Sequence, residues 1–62
     1  MTILAAVKQA LSGKNWLTES ELRVAVWILA GRKISGSNAT ARCREIKAQC
    51  RHLSGRRWEY HI

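Results

Sequence analysis

The chain holds few residues able to do chemistry: Cys43, Cys50, His52, His61 and four carboxylates, all of them Glu. In order, the thiols and imidazoles read Cys-x6-Cys-x-His-x8-His, which lacks the closely spaced ligand pairs of structural zinc sites. No metal or other cofactor is expected. Neither His has a carboxylate that the sequence positions beside it, so the constellation needed for general acid–base or nucleophilic work is missing. An enzyme is not expected. Cationic side chains are what the sequence has in excess, with 11 Lys and Arg against 4 acids and a formal charge of +7. A balance of that sign points to a polyanionic partner.

The excess is unevenly placed: residues 1–31 carry a net +1 and residues 32–62 a net +6. At 62 residues and 47% apolar composition the chain reads as a single domain, residues 1–62, with enough apolar material to fold. A domain this small buries only about 60% of its unfolded surface, which leaves little room for a large catalytic cleft. The longest apolar run, Val24 to Ala30, is far short of the ~20 residues a bilayer requires. Met1 to Ser12 also lacks the ordered regions of a secretory signal.

The elements that must carry the charge are legible from periodicity. Ile3, Leu4, Val7, Ala10 and Leu11 recur on one helical face, with Thr2 as cap and Gly13 as a left-handed stop. Thr18 and Glu21 have capping-box spacing, which predicts a second helix from there to Ala30, ended by Gly31. That helix is apolar nearly all round, with Leu22, Ala25, Val26 and Leu29 on one side and Val24, Trp27 and Ile28 on the other. It is expected to be packed on several sides, as the central helix or as a dimer interface. Ile34 reads as a plug from the following turn into the core. Ser37 or Asn38 would cap a third helix of about 39–52, with Ala39, Cys43, Ile46, Cys50 and Leu53 as its buried stripe. Thr40, Arg44, Lys47 and Arg51 would then share a separate face that contains no acid. On such a helix the two thiols lie ~10 Å apart along the axis, too far for a disulfide. Small buried thiols in a reducing cytosol are the expected state. In the tail, Trp58, Tyr60 and Ile62 alternate with Arg57, Glu59 and His61, the period of a strand with one buried face. Its hairpin partner would be Arg51 to Leu53. Trp16, Trp27 and Trp58 are each expected in the core or an interface.

The segment Thr40-Ala41-Arg42-Cys43-Arg44-Glu45-Ile46-Lys47 resembles the recognition-helix pattern of small phage and bacterial winged helix-turn-helix domains. Trp16-Leu17-Thr18 is similar to the brief strand that enters their second helix. The resemblance implies a mainly α fold with a little β, three helices and a short C-terminal hairpin, whose third helix enters the major groove of double-stranded DNA. By that resemblance Ser37, Asn38, Thr40, Ala41 and Arg44 would meet base edges, since Asn suits adenine and Arg suits guanine. Arg32, Lys33, Lys47, Arg51, Arg56 and Arg57 would hold phosphates. It further implies a small transcriptional regulator or mobile-element accessory protein, in the cytoplasm and on the nucleoid of a bacterial cell or phage-infected host. The alternative of another class is a winged-helix module that binds and inhibits or redirects a host protein. Val24 with Trp27 marks the expected self-association surface, should the domain act as a homodimer.

Overall fold

The computed structural model describes residues 1–62. Three helices, α1 (Ile3–Leu11), α2 (Glu19–Ala30) and α3 (Gly36–Glu45), precede or flank strands β1 (Leu17–Thr18), β2 (Gln49–Ser54) and β3 (Arg57–His61). The result is a small α+β fold whose three-stranded antiparallel sheet has the order β1-β3-β2. No helix is long and apolar enough to cross a membrane.

The core forms where the helical stripes converge. Ile3, Ala6, Val7 and Leu11 of α1, Leu22 and Val26 of α2, Ala39 and Cys43 of α3, and the connector residue Ile34 make one buried cluster. Ile34 is held there as the plug the sequence predicts, and its carbonyl accepts from Arg23 Nε at 3.1 Å. Thr2 caps α1 by accepting from the Ala5 amide. The stop after α1 differs from expectation. Ser12, in helical conformation, ends the helix with its amide and hydroxyl on the Gln9 and Lys8 carbonyls, and Gly13 does not adopt a positive φ.

The capping box opens α2 as the spacing predicts. Thr18 Oγ1 accepts from the Glu21 amide at 3.3 Å, and Glu21 Oε1 accepts from the Thr18 amide at 3.0 Å. Gly31 closes the helix at φ 77°. The backbone hydrogen bond from Thr18, then its hydroxyl contact, holds the Glu21 carboxyl below its ordinary pKa of 4.5, with Arg57 assisting. The folded state therefore binds fewer protons at this site than the unfolded chain. Its stabilisation is complete above the ordinary Glu range and is lost as pH falls through the lowered value. Thermal melts should show the melting temperature dropping on acidification from about pH 6 to about pH 3, with a shallower drop in Glu21→Gln.

Helix α3 departs most from the sequence reading. Ser35, not Ser37 or Asn38, is its cap, with Ser35 Oγ accepting from the Asn38 amide at 3.1 Å. The helix stops at Glu45 instead of continuing to His52. Lys47 donates its amide to the Arg44 carbonyl and Ala48 donates to the Cys43 carbonyl, the paired bonds of a Schellman stop. Lys47 occupies the left-handed position of that stop at φ 54°, where glycine is usual. The 4-3-4-3 spacing that runs through Cys50 and Leu53 is therefore not a helical stripe; those residues belong to β2. An L side chain at positive φ costs roughly 1–3 kcal/mol, and glycine's extra backbone entropy offsets part of the relief. Lys47→Gly is accordingly expected to raise stability by about 1 kcal/mol in denaturant titrations.

The hairpin is longer than expected and only its base reaches the core. Tyr60 packs against the buried cluster, opposite Cys50 on β2 and Leu17 on β1. Trp58 and Ile62, assigned by alternation to the buried face, are 43% and 47% exposed. Every residue of β2 is exposed. Gly55 turns the tip at φ 55°, and a register irregularity between His52 and Ser54 leaves Leu53 outside the ladder.

Candidate nucleic-acid interface

Burial fixes which side of α3 is free. At ~100° per residue, Ala39 and Cys43 point the same way and are buried, while Ser37, Thr40, Ala41 and Arg44 cluster on the opposite side. Ser37 and Arg44 are exposed, and Thr40 and Ala41 are half-buried at the edges. The Thr40 hydroxyl donates to the Gly36 and Ser37 carbonyls at 3.1 Å, so it offers its oxygen outward as an acceptor. Ser37 Oγ lies 3.2 Å from Ser35 Oγ. Asn38 sits off this face. Its carbonyl oxygen accepts from Arg42 at 3.1 Å, and Arg42 bridges onward to Glu45 at 2.7 Å. The amide nitrogen of Asn38 has no partner within the chain and remains a free donor.

The six cations read as phosphate holders fall into three groups. Lys47, exposed at the end of α3, and Arg56 and Arg57, exposed at the hairpin tip, make no ion pair. Arg51 is occupied: its Nε donates to Glu59 Oε1 at 2.8 Å, and its guanidinium lies 4.4 Å over the Trp16 ring. It lies on β2, and Lys47 lies past the end of α3, so of the expected four-residue face only Thr40 and Arg44 are on the helix. Arg32 and Lys33 belong to the connector after α2, where the Lys33 ammonium stands 4.4 Å from the Trp27 ring. Lys33 thus serves the outer surface of α2.

A groove joins α3 to the hairpin, lined by Thr40, Cys43, Arg44, Cys50, Trp58 and Tyr60. Sequence reasoning missed this use of Trp58. Its cross-strand neighbour His52 packs against it with ring centroids 4.8 Å apart, and His52 Nε2 lies 2.6 Å from the Gly55 carbonyl, bracing the tip. Trp58 also borders a second depression with Arg56, Arg57, Thr18 and Glu19. An exposed aromatic therefore stands between Arg44 on one side and the tip cations on the other. Burial pushes the Cys43 thiol up, with Cys50 adding to it, and burial likewise pushes the Tyr60 hydroxyl up. Both stay protonated at neutral pH and add no negative charge to the groove. Both thiols are free. With Cys50 on a strand, the spacing argument against a bridge no longer applies.

The remaining imidazole does not line the groove. His61 packs on Trp16 with centroids 5.3 Å apart, and its two ring nitrogens lie 2.8 and 2.9 Å from the carbonyls of Ile62 and Gly13. That contact ties the last strand to the loop after α1. Set beside family models, curated proteins and solved structures, the chain matches none of them.

Proposed function

We propose that this protein is a winged helix-turn-helix that binds double-stranded DNA sequence-specifically, as a small regulator or mobile-element accessory protein. One observation carries the reading: the free side of α3 and the hairpin tip present Arg44, Lys47, Arg56 and Arg57 outside any salt bridge, with Glu19 and Glu21 the acids near the tip. Surface cations that serve only solubility are ordinarily interleaved with acids. In this reading Ser37, Thr40, Ala41 and Arg44 face base edges, the Asn38 amide reaches them from the flank, and Arg44 grips a guanine. Lys47, Arg56 and Arg57 hold phosphates on either side. The short hairpin acts as the wing, stiffened by the His52–Trp58 pair. Arg42 and Arg51, engaged with Glu45 and Glu59, support the two elements instead of touching DNA.

The test is selection of bound duplexes from a random pool, followed by mobility-shift titration of wild type and Arg44→Ala. A recovered consensus that Arg44→Ala loses at one base position, at a cost of about 1–3 kcal/mol in discrimination, supports the reading. Absence of binding at low salt overturns it. A second reading is favoured by exposed Trp58 beside two guanidinium groups, an arrangement suited to anchoring an acidic protein. Capture of a partner that survives nuclease treatment, with no duplex binding, would select it.

A further inference from the structure

The outer side of α2 is an apolar surface that the DNA reading does not use. Val24, Trp27 and Ile28 are 52%, 47% and 76% exposed, while Leu22 and Val26 on the inner side are fully buried. The sequence expectation that α2 is packed on several sides therefore leaves half of the helix without a partner inside one chain. Glu21 lines the same surface as Val24 and Ile28 at the N-terminal end. Lys33 lies against Trp27 at the C-terminal end, and Arg23 lines the same depression.

We infer that this surface takes a second copy of the chain, with the two α2 helices packed antiparallel about a two-fold axis. Placing the axis between Val24 and Ile28 sets Val24 of one copy against Ile28 of the other, twice. The same operation sets Glu21 of each copy beside Lys33 of its mate. An antiparallel pair also opposes the two helix dipoles, each N-terminus lying near the other's C-terminus. A parallel pair would instead bring like charges together at both ends. None of Arg44, Lys47, Arg56 and Arg57 lines that surface, so joining two copies through α2 leaves these cations outside the contact. The contact is isologous, so it closes at two copies.

The inference stands independently of the DNA reading and is tested without DNA. Sedimentation equilibrium of the full chain, from about 1 μM to about 1 mM, should show the mass rising to that of a dimer. Ile28→Glu should abolish the rise, and Lys33→Glu should weaken association at least about tenfold, with Lys33→Arg restoring it. Thermal melts at dilution, where all forms are monomeric, should show these exposed-site variants as folded as wild type. A wild type that stays monomeric throughout overturns the inference. So does a dimer that Ile28→Glu and Lys33→Glu leave unchanged.

Discussion

Raising monovalent salt from about 50 to about 200 mM is expected to weaken duplex binding roughly 40-fold. The figure follows from the three unpaired cations assigned to phosphates, Lys47, Arg56 and Arg57. Each neutralised phosphate contributes about −0.9 to the slope of log affinity against log salt, which gives about −2.7. Lys47→Gly or Arg56→Gln should each make the slope shallower by about 0.9 while weakening all sequences alike. Arg51→Gln should leave the slope unchanged, because Arg51 is paired with Glu59. Fluorescence-anisotropy titrations over four salt concentrations measure this directly. A slope near zero would remove phosphate contact from the account, and an equal loss from Arg51→Gln would show that the paired cation is not spared.

The largest expected effect on stability comes from Leu22→Ala. Leu22 is fully buried in the cluster that α1, α2 and α3 share with Ile34. Truncating a buried leucine costs about 2–5 kcal/mol, through lost transfer free energy and the cavity left behind. At roughly 0.05–0.15 kcal/mol per residue, a domain of this length has only about 3–9 kcal/mol in total. The variant should therefore melt at least about 10 °C lower, with a substantial unfolded fraction at 37 °C. Ile28→Ala, six residues along the same helix but 76% exposed, should melt within a few degrees of wild type at low concentration. The contrast is read by circular dichroism, and similar melts for the two variants would mean the core lies elsewhere.

What the sequence discloses, and what it conceals, follows from how local each signal is. The α2 start and stop are legible because Thr18, Glu21 and Gly31 fix them through bonds within one turn. The polarity of the charge needs no folding argument at all. The end of α3 is concealed because its stop uses Lys47 in a conformation that glycine ordinarily signals, and because Cys50 and Leu53 happen to continue the helical spacing. That one misreading displaced Arg51 from a helix face to a strand, where Glu59 stands opposite. Alternation in the tail correctly gives the strand but overstates its burial. Three short helices offer core contact only to the sheet's base, so Tyr60 is covered and Trp58, two residues nearer the tip, is not. The outer side of α2 is the converse case. Its apolar residues read as interior, yet no element of this small chain is left to cover them.

A single DNA-binding surface made by the free side of α3 and the hairpin tip is open to backbone chemical-shift mapping with a duplex selected from random sequence. Shifts should concentrate at Ser37, Thr40, Ala41 and Arg44 and continue through Lys47 to Arg56, Arg57 and Trp58, with the Trp16–His61 side unmoved. Shifts confined to the Trp16, Arg51 and Glu59 surface, or none on saturation, would refute that surface.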